Sequence, residues 1–297
     1  MKYELIHLDN KGLIKTSHGD ISFLAFVKHA TFAGLTNPHV ILHPFRYTSF
    51  FCDFAPSFFR SNHFRKYPGL EKDPTETAYI SNRIGRAFAD YFSKKIYGAR
   101  FTHSYECAMA LKKLPIKGDR PDFYCDTLTA QFAVEAKGYS AKSVSNSDMK
   151  KHKKQSGTGP LAINFSVASV AYNLYKKPKI KFYDPIGSDE PYDLVLNSRL
   201  RNFYYHNAIN LIEMISDFRT QSELPNYYAY NISYPFFPFR QFLVNKKIAE
   251  RKFIDTEWLI SMKNVNIENQ ESEDFYIDVD GIGLKGLHNQ GGIPLCS

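Results

Sequence analysis

Three residues in the stretch DRPDFYCDTLTAQFAVEAKGY, residues 119–139, are of types that could do chemistry together: Asp122, Glu135 and Lys137. Two carboxylates brought close in a partly buried place repel each other, and a divalent cation removes that penalty. Hard oxygen ligands with open coordination positions suit Mg²⁺, which keeps several of its waters. A lysine facing the same pocket can stabilise a developing negative charge and orient a nucleophile. Acid, acid and lysine are the parts that metal-assisted hydrolysis of a phosphodiester requires.

The elements around these residues must bring them together. In QFAVEAKGY (131–139), residues two apart share a face of a strand, so Phe132, Val134 and Ala136 form an apolar face and Ala133, Glu135 and Lys137 the other. Asp122, preceded by Pro121, opens the strand before it. If the two strands pair through the turn at Asp126-Thr127, Asp122 approaches Glu135. A helix is expected over 73–97, with Asp73 as N-cap, Pro74 in the first turn, a stripe of Ile80, Ile84, Ala87, Phe88 and Tyr91, and Gly98 closing it. Residues 101–111 read as extended. A short helix starts near Asn146 or Ser147 and ends before Gly157. Strands are expected within 161–175 and 179–185, and a helix over 198–218. Residues 221–297 read as mixed, with one strand-like piece before a glycine-rich tail. Helices packed on a mixed sheet make the fold class α/β.

The pattern Pro121-Asp122, twelve intervening residues, then Glu135-Ala136-Lys137 resembles the PD-(D/E)xK nuclease superfamily, the restriction-endonuclease-like fold. The expected order of elements, αβββαβ over roughly 73–185, is similar to that family's core. Four (D/E)xK triplets occur in the chain, but only the one at 135 follows the single Pro-Asp at a fitting distance inside an apolar strand. The resemblance implies a nuclease core over 73–220, an aromatic-rich N-terminal addition (1–72) packed on it and a C-terminal addition (221–297). It implies Mg²⁺, with Mn²⁺ as a substitute, held by Asp122, Glu135 and the Ala136 carbonyl, and Lys137 assisting the attacking water. It also implies a phosphodiester hydrolase acting on DNA in restriction or anti-phage defence. The alternatives are a ribonuclease and a non-catalytic nucleic-acid-binding module of the same fold. A homodimer or partner subunit is compatible with double-strand cleavage.

Glu76 is the candidate for a further metal-site acid from the first helix, facing the sheet; its other reading is a helix-start residue of a capping box with Asp73. Asp90 is a poorer candidate. Lys150, Lys151, Lys153, Lys154 and Gln155, on the helix after the catalytic strand, could touch phosphate; the other reading is a solvated basic face. Asp126 reads as a turn cap, and His103 and His152 as surface or core histidines. Asp278-Val279-Asp280-Gly281 lacks the later ligands of a calcium loop, and the six acids from Glu268 to Asp280 read as a solvated loop or as a competitor of DNA for the basic face.

Composition sets the outer bounds. The 297 residues are 43% hydrophobic and 15% aromatic, enough for a real core, with a net charge of +8 that favours a polyanionic partner. Interleaved Phe and Arg (Arg46, Arg60, Arg65) suit either a nucleic-acid groove or an aromatic layer over the core. The four cysteines show no CxxC spacing, which argues against a zinc site and for a reducing compartment. With no signal-peptide pattern and no apolar run of spanning length, the expectation is a cytoplasmic protein without membrane contact.

Overall fold

A computed structural model of the chain describes residues 1–8, 14–36, 63–66, 72–183, 189–233, 237, 239–250 and 267–286. The chain opens with a hairpin of β1 (Lys2–Leu8) and β2 (Ile14–Asp20), followed by α1 (Phe23–Phe32), whose first turn is capped by Ser22. Helix α2 spans Pro74–Tyr97. The Asp73 carboxylate accepts from the Thr75 and Glu76 amides at its start, and Gly98 in the left-handed region (φ 68°) ends it, as the capping pattern predicts. Then come β3 (Phe101–Ser104), α3 (Tyr105–Leu111), β4 (Phe123–Asp126), β5 (Gln131–Gly138), α4 (Asn146–Ser156), β6 (Phe165–Tyr172) and β7 (Lys179–Tyr183). Helix α5 (Leu194–Ile215) follows. The second half ends with β8 (Phe218–Gln221), β9 (Tyr227–Asn231), β10 (Gln241–Asn245), α6 (Lys246–Ala249), β11 (Gln270–Glu271), β12 (Phe275–Ile277) and β13 (Ile282–Lys285).

The fold is α/β. A mixed seven-stranded sheet runs in the order β2-β1-β7-β6-β5-β4-β3, and a six-stranded sheet in the order β11-β12-β13-β10-β9-β8. In the first sheet β5 lies parallel to β6 and β1 parallel to β7; the remaining neighbours are antiparallel. Residues 2–20 therefore extend the central sheet instead of packing outside it. The second sheet is antiparallel throughout and draws β9 to β13 from what reads in the sequence as a mixed C-terminal region.

Helix α2 crosses β5 and β6 on one face of the first sheet, and α4 packs on the other. The α2 face is rich in aromatic rings: Phe88 and Phe92 stack, and Tyr3, Phe26, Phe64 and Phe182 pack around them. Helix α1 lies between α2 and strands β12 and β13 of the second sheet.

Two expectations change. Residues 105–111 form helix α3 instead of continuing the strand, because the run Glu106-Cys-Ala-Met-Ala-Leu has no β-branched residue and is made mostly of good helix formers. Its Tyr105, Ala108 and Met109 pack with Leu196 and Leu200 of α5. Helix α5 starts four residues before the expected 198, because the Asp193 carboxylate caps it by accepting the Leu196 amide at 2.9 Å. Arg46 and Arg60, Cys52 and Cys296, and the proline breaks at 44, 56 and 68 lie outside the described residues; Cys107 and Cys125 are buried free thiols. No helix among the described residues is long and apolar enough to cross a membrane.

Candidate active site

Asp122 lies one residue before β4, where the hairpin with β5 ends. Its amide donates to the Val134 carbonyl at 3.0 Å, and its Oδ2 accepts the Ala136 amide at 3.0 Å. The aspartate thus stands in for the strand residue that would otherwise pair with Ala136. In extended backbone the N–H and C=O of one residue point to the same edge, so the Ala136 carbonyl shares the edge at which β4 has ended. The side chains alternate as the sequence requires: Phe132, Val134 and Ala136 are in the core beneath α2, and Glu135 and Lys137 are on the opposite face.

The three predicted residues converge. The Lys137 ammonium pairs with Glu135 Oε1 and stands 3.9 Å from Asp122 Oδ2. Glu135 is 0% exposed, and its Oε2 is buried without a hydrogen-bond partner. Burial, with the Asp122 charge adding to it, raises the Glu135 pKa to about 7, and Lys137 only partly offsets this. For Lys137 burial works against the charged form, but Asp122 and Glu135 outweigh it and lift its pKa. Lys137 is accordingly an ammonium at neutral pH, a donor and a point charge but not a base.

The precision of this arrangement comes from two glycines. A Cβ on Gly138 would lie 1.7 Å from the Ser81 carbonyl oxygen, and one on Gly85 2.4 Å from the Lys137 carbonyl. Only glycine permits α2 to sit directly on the strand that carries Glu135 and Lys137. The close approach delivers Arg86, which the sequence pattern does not single out. Its Nη1 donates to Asp122 Oδ1 at 2.5 Å, and its guanidinium lies 4.4 Å from the Phe123 ring centroid. Its sequence signal is faint: a charged residue between Ile84 and Ala87, inside the apolar stripe.

Two adjacent clefts border the constellation. One, of about 600 Å³, is lined by Asp122, Arg86, Arg120 and Gln155; the other, of about 680 Å³, by Lys137, Lys66 and Tyr139. Tyr79 and Asn82 of α2 line both. Asp122 and Lys137 therefore line adjacent solvent-accessible spaces, while Glu135 lines neither and is buried against the Lys137 ammonium.

Other predicted residues fall elsewhere. Glu76 is exposed, not turned to the sheet; its amide is tied to the Asp73 cap, and among the described residues no hydrogen bond or ion pair joins its carboxylate to the site. Of the capping-box reading only one half is formed: Asp73 accepts the Glu76 amide, while Glu76 itself stands as an exposed acid in the first turn of α2. Lys150, Lys151 and Lys154 are exposed on α4. Lys153 is not free for phosphate: its ammonium donates to the Ser166 carbonyl and, at 3.0 Å, to Ser166 Oγ, which fixes α4 to β6. Gln155 lines the first cleft. Asp126 does cap its turn, accepting the Leu128 amide at 2.7 Å, but it is also buried and paired with Arg201 at 2.6 Å. His103 is a core residue bonded to Thr36 Oγ1 at 2.8 Å, and burial pushes its pKa well down. His152 is half-buried on the Tyr139 hydroxyl at 3.1 Å.

A second charged cluster lies where the sequence suggests only a solvated loop. Asp278 and Asp280 are buried and pair with the ammonium groups of Lys28 from α1 and Lys94 from α2. Asp90 bonds His29 Nδ1 at 2.5 Å and lies 3.6 Å from Lys94; His29 Nε2 bonds the Tyr276 hydroxyl at 2.7 Å. Tyr204 and Thr102 donate to Asp280 and Asp90. Oxygen and nitrogen atoms of His29, Asp90 and Asp278 lie within 4.8 Å of one another, a ligand-like grouping, but it is sealed from solvent and each of its carboxylate oxygens already has a donor. The cluster joins α1 and α2 to the second sheet. The chain matches no protein-family model, no curated protein and no solved structure.

Proposed function

We propose that this chain is a divalent-cation-dependent nuclease of the PD-(D/E)xK type that hydrolyses phosphodiester bonds in DNA, with restriction or anti-phage defence as its setting. The observation that carries the reading is the meeting of Asp122 and Glu135 over one ammonium, Lys137, beside two open clefts. The order α2, β3, β4, β5, α4, β6, with β5 parallel to β6 and α3 inserted after β3, supports it.

The residues fit a hard cation. Glu135 Oε2 is a buried acceptor without a donor, the Ala136 carbonyl lies on the open edge, and the ammonium of Lys137 occupies the place between the carboxylates where a cation would be held. Asp122, Glu135 and the Ala136 carbonyl would hold Mg²⁺ or Mn²⁺, which supplies Lewis acidity toward a phosphate oxygen and makes water a better nucleophile. Lys137, kept protonated by its two acids, stabilises the charge that develops on the phosphoryl oxygens. Glu135 must lose its proton to act as a ligand, which its pKa of about 7 makes easy only above neutrality. The exposed lysines of α4 and the net charge of +8 suit the phosphate backbone of the substrate.

The test is digestion of plasmid DNA, and in parallel of RNA, with Mg²⁺ and with EDTA. Wild type cuts only with the cation. Asp122→Asn and Glu135→Gln each lower the rate on the order of 1,000-fold, the several kcal/mol expected for losing cation-borne charge stabilisation. Cutting that persists in EDTA, or in both variants, refutes the reading. Cutting of RNA alone would make the substrate RNA.

A further inference from the structure

We propose that Arg86 is a handover residue: it neutralises Asp122 in the empty site and transfers to a substrate phosphate when the divalent cation arrives, so that cation and nucleic acid bind cooperatively. The inference rests on the nuclease reading above and deepens it.

The argument is one of charge. Asp122 and Glu135 bring two negative charges, and Arg86 and Lys137 bring two positive ones, each in direct contact with a carboxylate. With both acids ionised, the site is already neutral before any cation enters. A divalent cation entering between the acids must compete with both bases, so alone it binds weakly. Once bound, it leaves an excess of two positive charges on groups whose carboxylate partners it has taken. A phosphodiester backbone brings the anions that restore the balance.

Geometry singles out Arg86 for the transfer. Its side chain is 31% exposed and lines the same cleft as Asp122, so a phosphate in that cleft is within its reach without a change in the backbone. The Phe123 ring, 4.4 Å from the guanidinium, holds its plane while leaving its donors free to change acceptor. A guanidinium presents five donors in a fork suited to phosphate as much as to carboxylate. Arg120, also in the cleft, is different: it pairs with Glu106, whose charge the cation does not touch. Lys137 lines the adjacent second cleft, so a strand lying along both clefts would meet one base at each.

The experiment titrates Mn²⁺ by electron paramagnetic resonance, with and without a hydrolysis-resistant phosphorothioate DNA duplex. In wild type the duplex tightens Mn²⁺ binding about tenfold or more, and Mn²⁺ tightens the duplex by the same factor. Arg86→Gln keeps the length of the side chain and removes its charge. In this variant Mn²⁺ alone binds about tenfold tighter than in wild type, the duplex alone binds more weakly, and the coupling falls to about twofold or less. Arg86→Lys retains much of the coupling. A purely structural Arg86 would weaken both ligands together. Wild-type Mn²⁺ binding that ignores the duplex overturns the inference without any variant, and so does an Arg86→Gln protein, folded by its melting curve, with wild-type coupling. Absence of Mn²⁺ binding in every condition overturns the nuclease reading itself, and the handover with it.

Discussion

Two groups of acids and bases draw on helix α2, one through Arg86 and the other through Asp90 and Lys94 one to two turns further on, and they are built to opposite ends. The cluster of Asp90, Lys94, Lys28, His29, Asp278 and Asp280 is sealed: nearly every oxygen has a donor, and the groups are at most 8% exposed. The Asp122–Glu135–Lys137–Arg86 group is open: two clefts reach it, and a carboxylate oxygen is left without a donor. Burial works to raise Asp90 and Asp278, but Lys94 and His29 at the first, and Lys28 and Lys94 at the second, hold both below the usual carboxylate range. At Glu135 burial wins and the pKa goes up. Residue types do not distinguish the two groups, and each pairs its acids with bases; what differs is that one is closed to solvent with its carboxylate oxygens bonded, while the other borders clefts and keeps Glu135 Oε2 without a donor.

The largest expected effect breaks the sealed cluster. Lys94→Met leaves Asp278 and Asp280 short of a partner in the interior and costs about 3–5 kcal/mol of stability, read from urea unfolding. The same change at Lys137 costs less, because Glu135, whose pKa is already raised to about 7, takes up a proton instead of remaining an unpaired buried charge.

The next effect sharpens the contrast through pH. Asp90 and Asp278, with lowered pKa, stabilise the fold fully above the ordinary carboxylate range and lose that contribution as pH falls through it. Glu135, with a raised pKa, has the reverse sign: its contribution is full below about 4.5 and is lost as pH rises to about 7. Glu135→Gln removes only the second trend. Relative to wild type it should gain about 2 kcal/mol between about pH 5 and about pH 8 while the acid-side loss persists. Unfolding curves across that range measure it, and equal slopes in the two proteins would show that Glu135 is not held above its ordinary range.

The smallest effect concerns the surface. Lys150→Ala, Lys151→Ala and Lys154→Ala each change stability by less than about 0.5 kcal/mol. Combined, they weaken DNA binding and reduce the slope of log affinity against log salt by about one for each phosphate left without its lysine. An unchanged slope would mark α4 as a solvated face.

Much of the site can be read from the sequence because it depends on local rules. Strand alternation puts Glu135 and Lys137 on one face, and the caps at Asp73 and Gly98 fix α2 almost to the residue. What cannot be read depends on partners distant in the chain. Arg86 reaches Asp122 across 36 positions, and Lys28 reaches Asp280 across 252. Neither pairing leaves a periodic trace. Glu76 falls away from its expected place because an approximate stripe position does not fix which way a first-turn residue points: Thr77, the next residue, is buried and Glu76 is exposed. Residues 105–111 differ from expectation because a short apolar run fits strand and helix alike, and the packing partners on α5 decide between them.

The contact of Gly85 and Gly138 has a consequence for how this site can change. Where α2 meets β5, main chain rests on main chain with no side chain as a spacer. No alternative rotamer can lengthen or shorten that gap, so repacking elsewhere in the interior leaves the spacing from Arg86 to Lys137 untouched. The chemistry can be retuned by exchanging the groups that line the clefts, while the ruler against which they are placed stays the same.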